Sequence, residues 1–178
     1  MKIHILGPTS SGTSTLGKAI AEKYKIPCFD SDDIIWVKSD PPFTQTRERD
    51  ERIKILEDIL KNNESFVLSG AVRSWGDFIG PFLDVVIYKY VDQETRIKRL
   101  IERETIRFGD RILPGNDMYE NYIKLIEYTE KYETGGMEIR SKKSHLFWIN
   151  NLKCKVFTID GNYTQEDELK IAVEKIGL

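Results

Sequence analysis

The sequence predicts a three-layer α/β/α fold around a five-stranded parallel sheet. Three observations carry that expectation. Five short runs rich in Val, Ile, Leu and Phe alternate with longer stretches of helical periodicity. The first run stops at a glycine-rich turn, Gly7-Pro8-Thr9-Ser10-Ser11-Gly12, just before a helical pattern. The 178 residues suffice for one full core and are short for two, and no repeat, low-complexity tract or linker divides them, so residues 1–178 read as one domain.

Lys2–Leu6 reads as a buried strand, with Ile3, Ile5 and Leu6 apolar. A helix follows from Ser14 to about Tyr24, presenting Leu16, Ile20, Ala21 and Tyr24 on one side. Ile26–Phe29 is a second strand, leading into Asp30-Ser31-Asp32-Asp33. Pro41 and Pro42 make Lys38–Phe43 a loop, because proline cannot continue a helix. Glu48–Lys61 is an amphipathic helix with Ile53, Leu56, Ile59 and Leu60 on one face. Ser65–Leu68 and Asp84–Val91 are the third and fourth strands. Asp92–Arg107 is a charged helix that turns Ile97, Leu100 and Ile101 inward. Phe108–Asn116 is a loop, Tyr119–Glu133 a helix stopped by Gly135-Gly136, and Ile139–Leu152 another helix. Lys155–Ile159 is the fifth strand. Thr164 starts the last helix, with Asp167 three residues on as in a capping box, and Leu169, Ala172, Val173 and Ile176 facing inward.

Hydrophobic residues at 40% and charged residues at 31% are ordinary for a soluble globular chain. With 27 basic and 29 acidic residues the formal net charge is −2, which argues against broad nucleic-acid binding. Cys28 and Cys154 stand far apart without a CxxC pattern and read as buried reduced thiols; a disulfide or metal site is the alternative. No apolar run approaches the roughly 18 residues of a membrane span. The first strand starting at Lys2 leaves no room for a signal peptide, so the expected compartment is the cytoplasm, and the expected state a monomer or homodimer.

The turn after the first strand fits the pattern GxxxxGK[ST] except at one place. Gly7 and Gly12 have the right spacing, Ser14 holds the hydroxyl position that would ligate Mg²⁺, and Thr13 stands where lysine is expected. In such a loop successive backbone N–H groups point inward and the helix dipole adds to them. Gly7, Thr9, Ser10, Ser11, Gly12, Thr13, Ser14 and Thr15 are therefore expected to bind a nucleoside triphosphate, ATP with Mg²⁺. The plainer alternative is a turn that only packs strand on helix. Thr13 donates a hydrogen bond but brings no charge, so another cation is needed near the phosphates.

On these residues the chain resembles the small P-loop kinases, the group of nucleoside monophosphate kinases, shikimate kinase and their relatives. The resemblance implies a mobile lid, here roughly residues 104–140, and phosphoryl transfer to a small acceptor. Phe29-Asp30-Ser31-Asp32 is similar to the shikimate-kinase motif, which implies that Asp30 helps hold magnesium and Asp32 holds and deprotonates a substrate hydroxyl. The alternative is that Asp30–Asp33 caps the next helix. Ser69-Gly70-Ala71-Val72-Arg73 lies where nucleoside monophosphate kinases read Asp-Gly-Phe-Pro-Arg; Gly70 and Arg73 match and would bind the acceptor, whereas the aspartate is missing. Arg103, Arg107 and Arg111 bracket the lid loop. Arg107 and Arg111 are expected to neutralise the transferred phosphoryl group, and Arg103 and Arg140 to replace the missing lysine at the nucleotide. An ordinary ion-paired helix face is the alternative.

The strings Asp40-Pro41-Pro42-Phe43-Thr44, Trp75-Gly76-Asp77 and Pro114-Gly115-Asn116-Asp117-Met118-Tyr119-Glu120 also resemble a group of bacterial adenylate-kinase-like proteins. Arg47, after the first string, would meet an anionic acceptor or else begin a surface helix. Asp160-Gly161-Asn162-Tyr163 sits where relatives hold the nucleotide base. Trp36, Trp75 and Trp148 are expected in core or rim packing rather than in a substrate pocket. The acceptor is open at this point: Asp32 favours a hydroxyl, whereas Arg47 and Arg73 favour an anion. Two other readings stand beside the kinase: a nucleotide-binding regulatory protein with little turnover, motivated by Thr13, and a DNA-linked role, against which the charge weighs.

Overall fold

The computed structural model describes residues 1–177. Five strands, β1 (Lys2–Leu6), β2 (Cys28–Asp30), β3 (Phe66–Ser69), β4 (Val85–Tyr90) and β5 (Lys155–Asp160), form one parallel sheet in the order β2-β3-β1-β4-β5. Among the described residues seven α-helices connect and cover them: α1 (Thr13–Tyr24), α2 (Ser31–Ile35), α3 (Arg49–Asn62), α4 (Gln93–Phe108), α5 (Tyr119–Glu130), α6 (Lys142–Asn150) and α7 (Gln165–Ile176). Short 3-10 turns occupy Asp77–Phe82 and Gly109–Ile112.

The central strands are apolar on both faces, as a parallel sheet covered by helices requires. Successive side chains of a strand point to opposite faces. Ile3, Ile5, Val67, Val85 and Ile87 accordingly pack with Leu16 and Ile20 of α1 and Ala172 and Ile176 of α7. Leu6, Leu68, Val86 and Tyr88 face the other way, onto Leu56 and Ile59 of α3 and Trp148 and Ile149 of α6. Burying each such aliphatic side chain stabilises by roughly 1.5–3 kcal/mol. Truncating fully buried Ile5 to alanine therefore costs about 2–5 kcal/mol.

Beyond α4 a small separate cluster, Phe108, Ile112 and Met118 with Tyr122 against it, organises the segment that leads into α5. Helix α4 is capped by Asp92, whose side chain accepts from the Thr95 N–H.

Several element bounds differ from the sequence expectation for local reasons. The second strand starts at Cys28, because Lys25 takes a left-handed conformation and the Ile26 N–H turns back to Ala21 O, ending α1. The helix expected from Ile139 begins at Lys142, where Ser141 caps it. The helix expected to reach Glu133 ends at Glu130. The aspartate-rich stretch after β2 folds into α2, for which Asp30 is the N-cap.

Candidate active site

The loop after β1 has the backbone of an anion nest. Gly12 adopts φ 84° and Ser10 φ 63°, left-handed conformations that turn the chain tightly into α1. The first intrahelical bond is Leu16 N–H to Gly12 O, which leaves the amides of Thr13, Ser14 and Thr15 without an intrahelical acceptor. Gly7 lies so close to the Lys89 carbonyl that a side chain there would collide with it. The Ser10 and Ser11 hydroxyls are buried and have no hydrogen-bond partner among the described residues. The loop opens at the C-terminal ends of the strands, beside β1, from which the sheet runs in both directions. Ligands of open parallel sheets collect there.

The carboxylates at the end of β2 stand beside this loop. Asp30 Oδ2 accepts from Ser69 Oγ at 3.0 Å and Oδ1 from the Asp32 N–H at 2.9 Å, so the capping role and a fixed orientation coincide. Ser69 packs against Gly17 of α1, one turn below Ser14 on the same helix face, so the helix face that carries Ser14 meets the strand end to which Asp30 is bonded. Asp32, in the first turn of α2, is exposed. Its carboxyl is nevertheless pushed up from the usual carboxylate range, first by desolvation and then by Asp30, while Arg140 and Arg103 pull it back. Water at the exposed side chain tempers the rise without reversing it.

The expected arginines divide by their partners. Arg140 donates to Gly7 O at 2.7 Å, and its Nε is buried without a partner among the described residues. Arg140 thus stands at the loop, and the charges of Arg140 and Arg103 both bear on Asp32. Glu104, itself buried, accepts from Arg103 at 2.8 Å and from Arg107 at 3.3 Å. Arg107 also lies over the Phe43 ring, 4.6 Å from its centroid. Arg111 is not brought to the loop: it binds Asp117 through two bonds of 3.1 and 2.6 Å and meets Asp40 at 3.8 Å.

The acceptor-side expectations are redistributed in the same way. Arg47 is spent on the carbonyls of Asp33, Ile34 and Trp36, at 2.7, 3.0 and 2.8 Å, so it caps α2 instead of pointing at a ligand. Arg73 pairs with Asp77 and reaches Ser144 O. Gly70 has φ 89°, and a side chain there would overlap the Ser31 hydroxyl; its role is close approach of two loops. Trp75 and Trp148 are core residues, while half-buried Trp36 packs edge-on against Phe43. Cys28 and Cys154 are free thiols, each with its pKa raised by burial.

Sequence reasoning missed three residues. Lys89 and Glu168 form a buried ion pair of 2.6 Å next to the loop, and Arg99 donates to Gly161 O at 3.1 Å. Together with Ser10, Thr15 and Tyr163 they border a cleft of about 230 Å³ between the phosphate loop and the turn after β5. Lys89 had a visible signal, as the sole charge in the strand Val85–Tyr90.

The residues fit a magnesium–nucleotide complex better than a dedicated metal cage. Among the described residues no three acidic, histidine or cysteine side chains converge on a possible cation site. One hydroxyl, Ser14, and one carboxylate, Asp30, are what magnesium takes from a protein when phosphates and water supply the rest. No helix among the described residues is long and apolar enough to cross a membrane.

No protein-family model matches the chain. It is 39% identical over 158 residues to the uncharacterized protein YqaC of Bacillus subtilis, covering 89% of this chain and 87% of that protein. It is 30% identical over 123 residues to an adenylate kinase of Encephalitozoon cuniculi, covering 61% of this chain and 70% of that one. Among solved structures, shikimate kinase from Bacteroides thetaiotaomicron superposes with TM-score 0.59 at 18% identity, covering 100% of this chain and 99% of that one. Deoxyadenosine kinase from M. mycoides with bound dATP superposes with TM-score 0.58 at 16% identity over the full length of both chains. The fold is therefore that of the P-loop kinases.

Proposed function

Since the chain belongs to the same family as YqaC of Bacillus subtilis and has the fold of the P-loop kinases, we propose that it transfers the terminal phosphoryl group of Mg-ATP to a hydroxyl of a small acceptor. One observation carries this reading: Asp32 is an exposed carboxylate just past the end of β2, with Asp30 oriented next to it, and it lies in the field of Arg140, which is bonded to Gly7 of the loop after β1, and of Arg103.

In this proposal the amides at the start of α1 hold the β-phosphate, and Ser14 and Asp30 hold magnesium. The bound ion would draw charge off the phosphates. Asp32 orients the acceptor hydroxyl and takes its proton as the oxygen attacks the γ-phosphorus. A new P–O bond forms, the bond to the β-phosphate oxygen breaks, and its electrons leave with ADP. Arg140 and Arg103 stabilise the charge on the transferred group. Arg107 and Arg111 act by closure, holding the lid onto the loop before α3 through Phe43 and Asp40, so that water is kept from the reaction.

The engagement of Arg47 by α2 and of Arg73 by Asp77 supports a hydroxyl acceptor over an anionic one. The test is ADP formation from Mg-ATP over a panel of nucleosides, polyols and nucleoside monophosphates. Acceptor-dependent ADP with a nucleoside or polyol is expected. Turnover confined to monophosphates sinks the hydroxyl assignment. Tight ATP binding with no acceptor-dependent ADP sinks the kinase and leaves a nucleotide-binding regulator.

A further inference from the structure

We propose that Lys89 is a positioning residue that does the work of the lysine absent from position 13, acting on the phosphate loop from behind. The inference rests on the triphosphate-binding reading of that loop.

Lys89 is the second-last residue of β4, and the two-residue period of the strand puts it on the face of Val85 and Ile87, towards α1 and α7. Its side chain runs beneath two glycines. A Cβ on Gly12 would stand 2.8 Å from Nζ, and one on Gly161 would stand 2.9 Å from Cε. Nζ ends 3.3 Å from Gly12 O and 2.6 Å from Glu168 Oε2. The Lys89 side chain is 4% exposed and that of Glu168 is 2% exposed, so the ammonium has been taken out of water to reach this place.

Core packing gives no reason for a lysine here. The earlier residues on the same face are aliphatic, and a well-packed aliphatic side chain is generally as stabilising as a buried ion pair or more so. The geometry of the loop does give a reason. In a trans peptide the C=O and N–H point in opposite directions. Gly12 O accepts from both the Leu16 N–H and Lys89 Nζ, and fixing that carbonyl turns the Thr13 N–H the other way, into the nest where phosphate would sit. The ion pair is also a dipole with its positive end on the loop, since Nζ touches Gly12 while Glu168 lies behind it on α7. Thr13 itself is buried and uncharged, and Lys89 brings an ammonium to the neighbouring peptide from another strand.

The pair is tested by nucleotide titration with ATP, ADP and AMP, with melting temperature as a control. The double variant Lys89→Met/Glu168→Gln removes both charges without leaving either one buried alone. Its ATP affinity should fall about tenfold, its ADP affinity by less, and its AMP affinity very little. Lys89→Gln/Glu168→Gln, which can hydrogen-bond across the same gap, should show the same order of losses. Adding Thr13→Lys to either double variant should restore most of the lost ATP affinity, because it returns the charge to the loop. Unchanged ATP affinity in both double variants, equal losses for all three nucleotides, or no rescue by Thr13→Lys each overturn the proposal. A wild-type chain that binds none of the three overturns the phosphate-loop reading and this inference with it.

Discussion

At position 32 a carboxylate is held where desolvation and Asp30 both work against its charge, with Arg140 and Arg103 opposing them. That arrangement suits a base and costs stability. With the folded-state pKa above the unfolded value, the folded chain binds more protons across the window between them, so stability falls as pH rises through it. Removing the ionisable group should reverse that cost. We expect Asp32→Asn to lower kcat by about 10²–10⁴ with nucleotide affinity nearly unchanged, while Tm at neutral pH rises by at most about 3 °C. The wild-type acid limb of kcat/KM should lie above the ordinary carboxylate range and vanish in the variant. Full activity in Asp32→Asn would remove the base from the mechanism. The position of Asp32 just past a strand end was legible because the apolar run before it stops at Phe29. The arginines were not, since a sequence shows where a charge sits along the chain but not what neutralises it: Asp117 engages Arg111, and three carbonyls engage Arg47. Lys89 was overlooked because a lone lysine in an apolar strand says nothing of the distant Glu168 that meets it.

Among the elements, the start of α6 sets where a guanidinium meets the loop after β1. Ser141 Oγ accepts from the Ser144 N–H at 3.1 Å and donates to Gly136 O at 2.6 Å, while the Ser141 N–H donates to Ser144 Oγ at 3.0 Å. Both serines are buried, and Arg140, bonded to Gly7, is the next residue back. The cap thus ties the segment before α6 to the loop after β1. Ser141→Ala should cost about 1–2 kcal/mol, lowering Tm by about 2–8 °C, and should weaken ATP binding as well. Arg140→Ala should weaken ATP binding without the full loss in Tm. If Ser141→Ala melts early but binds ATP normally, the cap does not position Arg140. The helix was legible in outline from its periodicity. Its start was set back by a serine pair, a fainter signal than the serine–glutamate box that marks many N-termini.

For the molecule as a whole, alternating strands and helices together with a glycine turn were enough to anticipate a parallel sheet, because few topologies satisfy short right-handed connections. What alternation could not show is how the two halves of one core meet through polar atoms. His4 of β1 donates Nδ1–H to Leu68 O at 3.0 Å, and His145 of α6 lies 2.9 Å from the Tyr132 hydroxyl, which in turn meets Tyr88 at 2.8 Å. Both Nε2 atoms are buried with no partner among the described residues. Burial lowers the pKa of His4 from 6.5 to about 4 and that of His145, with Arg140 adding to the effect, from 6.5 to about 2. The sign is opposite to that at Asp32. As pH falls below 6.5 the unfolded chain takes up these protons first, so stability present at neutral pH is lost progressively towards pH 4 and below. Protonating His4 only in the unfolded chain costs about 3 kcal/mol over its window. His4→Asn keeps a donor near Nδ1 and removes the titrating ring. Its stability at neutral pH should drop through lost packing, whereas its slope of unfolding free energy between pH 6 and pH 4 should be shallower by up to about 1.4 kcal/mol per pH unit. Denaturant unfolding across that range measures both quantities. Parallel slopes in variant and wild type would mean that His4 is not held neutral between the sheet and α6.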